Sequence, residues 1–266
     1  WSGVSPKHLQ QQTTEHTDEA RKNTDRSVPV RALSVSSVGS AVVVSSVEKQ
    51  LAERIDAARV SGTQVYIAGA RTHISEPPAN SIVIDVHENA KVIEYVPGDL
   101  TITAGAGMTL AELDAITAKH DQWCPLLPWG SDAGTIGGAL ARGERGPTSA
   151  SLGAPRDLAL GLTFVDGRGS VVSAGGRVVK NVAGVDLTRG LIGSWGTLGI
   201  ITAASLRLRA RPVVRETWIV QAHAVNGATL DAFVRGPYAP IACERIAAAL
   251  AATLGAPEDD HIVLWL

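Results

Sequence analysis

The chain has 266 residues, 45% of them hydrophobic, enough to bury roughly three quarters of its unfolded surface in one large or two modest domains. Its 24 basic and 26 acidic residues give a net charge of −2, and the basic ones are scattered rather than grouped, which argues against nucleic acid as a partner. Apolar runs such as residues 41–44 and 158–162 fall far short of the ~20 residues that a membrane-spanning helix needs, so no direct membrane insertion is expected.

Residues 1–40 are polar, with Gln10, Gln11, Gln12, Thr13 and Thr14 leading into mixed charge, and read as an arm or linker. No basic-then-apolar leader stands at the start, and Trp1 in place of methionine reads as the mark of a removed start. Residues 42–44 predict a buried strand. Ser45 and Glu48 form a capping box for a helix carrying Leu51, Ile55 and Ala58, and Val65, Tyr66 and Ile67 form a strand ending in a turn at Gly69. Beyond Pro77 and Pro78 come strands at 82–84, 92–96 and 101–104, the last two joined by Pro97, Gly98 and Asp99. A second capping box, Thr109 with Glu112, opens a helix with Leu110, Leu113 and Ile116 on one face. Alternating stretches at 158–165 and 200–208 flank a turn at 166–169. Glycine thins out at residues 209–212, where a second domain is expected, with an alanine-rich helix at 246–254 and a strand at 262–266. Because the chain ends on that apolar strand, the second domain is expected to be incomplete and the strand to be an open edge unless something covers it.

The segment PWGSDAGTIGGA at residues 128–139 carries the most chemistry. Its glycines could let backbone N–H groups converge on an anion, with the Ser131 and Thr135 hydroxyls as further donors; a Gly-rich loop packed closely on a strand is the alternative. Gly193, Gly196 and Gly199, followed by Ile200 and Ile201, form a second set, which suits either a ring lying on the main chain or an ordinary tight turn. Lys180, Asn181 and Asp186 lie between the two, as polar site groups or a solvated loop. The rival motif Gly105-Ala106-Gly107-Met108-Thr109-Leu110 has Leu110 where a Rossmann fingerprint needs its third small residue, and a hairpin meander precedes it. Cys124 and Cys243 are too few for a disulfide framework and lack zinc spacing, so a reducing, cytoplasmic setting and no metal are expected. No Gly-x-x-x-x-Gly-Lys phosphate loop, Gly-x-Ser-x-Gly elbow or His pair at i, i+4 occurs.

In order and spacing, residues 42–212 resemble the FAD-binding domain of the vanillyl-alcohol oxidase and p-cresol methylhydroxylase family. PWGSDAGTIGG at 128–138, SLGAPRD at 151–157 and GGRVVKNVAGVDLTRGLIGSWGTLGII at 175–201 carry the resemblance, the third being most similar to FAD-binding subunits of bacterial glycolate oxidases. The fold implied is α+β: a two-subdomain p-cresol methylhydroxylase-type FAD-binding domain at residues 41–211, followed by an incomplete α+β cap domain at 212–266. The cofactor implied is FAD. Gly134, Thr135, Gly137 and Gly138 would contact its pyrophosphate, with Pro128 and Ser131 in the same loop; Gly199, Ile200 and Ile201 would line the adenosine or ribityl part; Arg156 and Asp157 would sit near the cofactor.

One departure stands in the first phosphate loop. Where the family carries Arg-Gly-Gly-Gly-Ser/Thr, this chain has Ala68-Gly69-Ala70-Arg71-Thr72, so side chains at Ala70 and Arg71 could hinder backbone approach while Arg71 could pair with phosphate. Some relatives link the flavin through a histidine here; the aligned position is Thr72, with His73 one residue later, so noncovalent FAD is expected.

The function implied is an FAD-dependent oxidoreductase acting on a small 2-hydroxy acid, as one subunit passing electrons to the other subunits of a flavoprotein/iron-sulfur complex, cytoplasmic or membrane-associated through those partners. A noncatalytic scaffold docking a catalytic flavoprotein, and a stand-alone alcohol or sugar oxidase, are the alternatives. No residue is assigned as the catalytic base.

Overall fold

The computed structural model describes residues 44–73, 76–127, 132–176, 186–237, 239–253, 255 and 257–266, all within the compact unit Val42–Leu266. Its first helix, α1 (Ser46–Ser61), is set by its cap: the Ser45 hydroxyl accepts the Glu48 N–H at 3.3 Å and the Glu48 carboxylate accepts the Ser45 N–H at 2.8 Å. Leu51, Ile55 and Ala58 recur at helical spacing and are buried, and Gly62 in the left-handed conformation ends the helix. Glu48 is buried too, because its second oxygen accepts the Thr202 hydroxyl at 3.0 Å and ties α1 to the sheet. Of the strand expected at 42–44, residues 42 and 43 lie outside the described residues and Val44 is not in a strand.

Strands β1 (Val65–Ala68) and β2 (Ile82–Asp85) pair in parallel. Then β3 (Val92–Val96) and β4 (Thr101–Gly105) form the expected hairpin about a 3-10 turn at Pro97–Asp99. Helix α2 (Leu110–Thr117) starts at the Thr109–Glu112 box, and the two-residue β5 (Gln122–Trp123) precedes α3 (Ile136–Arg142). With β6 (Ala159–Asp166), β7 (Val171–Gly175) and β8 (Gly199–Arg207), the hairpin completes a five-stranded antiparallel sheet of order β3-β4-β8-β6-β7.

The turn at 166–169 does not join the two stretches that flank it in the sequence reading. It joins β6 to β7, and β8 returns later to pair with both β4 and β6. Because the side-chain period of a strand is two, adjacent residues of β8 serve opposite faces. Ile201 joins the main core with Phe164, Leu140 and Leu113, while Ile200 joins a second core with Leu51, Ile55, Ile84 and Val165. A strand buried on both faces reads as a continuous apolar run, and such a run does not disclose its pairing partner.

After β9 (Arg209–Ala210), which pairs with β5, the chain builds a separate sheet from β10 (Thr217–Gln221), β11 (Ala242–Ile246) and β12 (His261–Trp265). Its order is β10-β12-β11, so the last strand, expected as an open edge, is the central one; β10 and β11 are the edges. The alanine-rich helix runs Ala248–Thr253, and Ile246, expected within it, closes β11 opposite His261. The Trp265 ring lies edge-on to Trp123 at 6.0 Å, packing this sheet on the body of the fold. The result is a mixed α+β fold, as the sequence implies.

Candidate functional site

The loop after β1 leaves buried Ala68 and runs into Gly69, whose place is set by what it faces. A Cβ there would lie 2.7 Å from Thr135 Oγ1. Thr135 cannot readily yield, because its hydroxyl caps α3 by accepting the Gly138 N–H at 3.1 Å. The first loop and the glycine-rich segment therefore touch, although 66 positions separate Gly69 from Thr135. Two residues on, Arg71 takes a left-handed conformation (φ 54°), and its half-exposed guanidinium lies 3.4 Å from Asp85.

Residues 132–138 are laced to the strand-to-helix turn before α2. Leu110 N–H donates to Gly134 O (2.9 Å) and Ala111 N–H to Asp132 O (3.0 Å); in return Ile136 N–H donates to Met108 O and Gly137 N–H to Ala106 O, both at 2.8 Å. The first-turn N–H groups of α3 are thus engaged within the protein, and they do not converge on an open anion site as the glycine spacing suggested. Gly137 is small for a packing reason, since its Cβ would sit 2.8 Å from Ala106 Cβ. The main-chain N–H groups of Gly69, Ala70, Arg71 and Thr72, in contrast, make no hydrogen bond with another described residue. The rival Gly105-Gly107 motif proves to be the support on which this segment hangs. A Cβ at Gly105 would lie 2.2 Å from Asn89 O, and one at Gly107 would lie 2.1 Å from Val86 O.

Between these loops and the start of β8 opens a cleft. Gly69, Ala70, Arg71, Thr72, Gly134, Thr135, Gly137, Gly138, Gly199, Ile200 and Ile201 all line it. Arg156 and Asp157 do not: Arg156 donates to Ile192 O at 3.3 Å, and Asp157 accepts the Ala154 N–H at 2.9 Å as a helix cap. Asp186 likewise caps the Leu187–Leu191 helix. Pro128, Ser131, Lys180 and Asn181 lie outside the described residues.

Among the polar and aromatic side chains lining the cleft, the sequence reading assigned no site role to Tyr66, His73, Arg142 and Trp195. Arg142 gave no signal beyond a basic residue in the last turn of a helix, which the helix dipole alone would explain. Trp195 comes to the cleft because its N–H donates to Ala141 O at 2.8 Å and Gly193 N–H to Leu140 O at 3.1 Å, docking the loop on α3. It is 60% exposed and left-handed (φ 55°), which is strained for so bulky a residue. Among the described residues no Asp or Glu lines the cleft, whereas two arginines do. Its charge and its unengaged N–H groups suit an anion, and Ile67, Val86, Ile200 and Trp195 offer apolar surface to a ring. Neither cysteine belongs to it; burial pushes the Cys124 thiol up to about 12, so that side chain acts as a small apolar group.

The sequence profile of the FAD binding domain family matches residues 39–175. Glycolate oxidase subunit GlcE of Escherichia coli (strain K12) is 34% identical over 165 residues, 61% of this chain and 47% of that protein. D-lactate dehydrogenase of Archaeoglobus fulgidus is 31% identical over 170 residues (63% and 38%), and glycolate oxidase subunit GlcD of Bacillus subtilis (strain 168) is 30% identical over 141 residues (53% and 30%). The matches thus span less than half the length of these relatives. Among solved structures, alkyldihydroxyacetonephosphate synthase superposes with a TM-score of 0.65 at 20% identity over 82% of this chain and 45% of that one, which shows a shared fold.

Proposed function

The chain belongs to the FAD binding domain family, and from that premise we propose that it is the FAD-binding subunit of an oxidoreductase that oxidises a small 2-hydroxy acid and passes the electrons to partner subunits. The observation that carries the reading is the cleft, with two arginines and no acidic residue among its described lining, in which the 69–72 loop meets Thr135 and Gly138. The residues fit FAD: a diphosphate needs donors and positive charge, and this cleft supplies loop N–H groups and two guanidinium groups, whose carboxylate partners Asp85 and Glu144 are not among the described lining residues. FAD supplies the ring that accepts the two electrons of an alcohol oxidation. The chain's own part is to bind and orient. The Gly69, Ala70, Arg71 and Thr72 N–H groups would hold the diphosphate, and Val86, Ile200 and Trp195 would wall the rings. Thr72 at the position where some relatives carry a linking histidine supports noncovalent binding.

The relatives named as glycolate oxidase subunits and a D-lactate dehydrogenase support the substrate class, and the first of these supports the subunit role. Residues 212–266, with their own sheet, would form part of the cap over the ring. Among the described residues no helix is long and apolar enough to cross a membrane, so we place any membrane association with the partners. The scaffold alternative rests on Ala70 and Arg71. It is weakened because Arg71 keeps the left-handed backbone that a glycine would supply and its guanidinium is turned to Asp85.

Purified chain titrated with FAD should take up one equivalent, and acid precipitation should release it into the supernatant. FMN in that supernatant, or flavin held in the pellet, would contradict the cofactor or its noncovalent attachment; failure to take up any flavin would favour the scaffold.

A further inference from the structure

Arg142 ends α3 and turns inward. Its side chain is only 8% exposed and lines the cleft, yet its nearest charged partner, Glu144, meets it poorly. Glu144 Oε2 lies 3.1 Å from Nη1 but out of hydrogen-bond alignment, which leaves Nη1 buried without an acceptor among the described residues. A guanidinium has five N–H donors, and burying an ion is costly unless it is both paired and hydrogen-bonded. Glu144 keeps 36% of its side chain in solvent, so it can swing away from Arg142 at little cost. The other cleft arginine does not compete, because Arg71 is half exposed and paired with Asp85.

We infer that Arg142 is a cofactor-binding residue whose guanidinium exchanges Glu144 for the diphosphate of the bound cofactor. This rests on the FAD reading of the cleft. The diphosphate is the strongly anionic part of FAD, and a planar guanidinium matches phosphate oxygens with paired N–H bonds that an ammonium cannot reproduce. With no carboxylate among the described lining residues, Arg142 has no described anion on the cleft side until the cofactor brings one. Glu144 then acts as a counter-ion that keeps the arginine tolerable in the empty protein and leaves when FAD enters.

The test is equilibrium titration of the full chain with FAD, followed by flavin fluorescence, on wild type, Arg142→Gln, Arg142→Lys and Glu144→Gln, with thermal melting as the fold check. Arg142→Gln should bind FAD about 10- to 100-fold more weakly, the worth of a charged hydrogen-bonded contact. Arg142→Lys should recover part of that, and Glu144→Gln should bind at least as tightly as wild type. The Arg142→Gln complex should also depend less on salt. The inference falls if folded Arg142→Gln binds like wild type, if Arg142→Lys loses as much as Arg142→Gln, or if Glu144→Gln weakens binding. Those outcomes leave the FAD reading intact when wild type binds FAD, whereas a wild type that binds none overturns both. Should Arg142→Gln fail to fold, the lysine and Glu144 variants still decide the matter.

Discussion

At Arg71 a long side chain occupies a backbone conformation that glycine reaches without strain. The left-handed region costs a non-glycine residue roughly 1–2 kcal/mol, and an exposed ion pair such as Arg71–Asp85 returns about 0–1 kcal/mol. Strain therefore outweighs the pair. Arg71→Gly should raise stability by about 0.5–1 kcal/mol, read as a higher denaturant midpoint at unchanged slope; a lower midpoint would show that the side chain has a stronger anchor than Asp85. Gly138 offers the complementary test. It lies on the cleft wall at the third position of α3, where an acidic residue favours the helix, yet Gly138→Asp would place negative charge against a diphosphate. FAD affinity should fall roughly tenfold or more; a Cβ there would lie 3.2 Å from Thr135 Oγ1, so thermal melting is followed alongside to check that the variant folds. Gly167→Asp is the control, since a Cβ there meets nothing within 4 Å. Gly105 of the rival motif cannot serve as a control, because its Cβ would run into the Asn89 carbonyl.

The two capping boxes look alike in sequence and differ in what surrounds them. Glu112 is exposed and accepts from the Thr109 N–H and hydroxyl, both at 2.8 Å, and these bonds hold its carboxyl below the ordinary range. Glu48 makes the same kind of cap but is buried and also receives the Thr202 hydroxyl. Glu112→Ala should cost about 1 kcal/mol, a typical cap loss. Glu48→Ala should cost about twice that, because it also opens space between α1 and the sheet, although Thr202 still reaches the Thr163 carbonyl at 3.1 Å. The Glu112 term has a pH signature. A depressed folded pKa gives stability that is present above the unfolded carboxylate value and is lost as pH falls through the folded one. Denaturation curves of wild type and Glu112→Ala should therefore converge as the solution becomes acid; a constant gap would remove the charge from the account.

For the molecule as a whole, the FAD reading implies a division of labour. Catalysis needs substrate held in near-attack geometry and away from water, and a three-stranded sheet whose β10 edge exposes Trp218 and Ile219 gives little enclosure. Under the proposed subunit role, the FAD-loaded chain should therefore turn over glycolate or lactate slowly with an artificial electron acceptor, and a partner that completes the site should raise the rate. Rapid turnover by the isolated monomer would favour a stand-alone oxidase.

The sequence by itself determined the local features, because caps, turns and glycine-rich loops are fixed by a few neighbouring residues. The boxes at Ser45 and Thr109, the β3–β4 hairpin and the family motifs were all legible from such short-range signals. Only the tertiary structure decided pairings and contacts between distant segments. It put β12 in the middle of its sheet, made β7 the hairpin partner of β6, and turned Gly137 from an anion donor into a packing residue against Ala106. It also brought Arg142 and Trp195 into the cleft. Nothing about a terminal arginine or a tryptophan in a glycine turn says which way it faces until α3 and the 193–196 loop dock on each other.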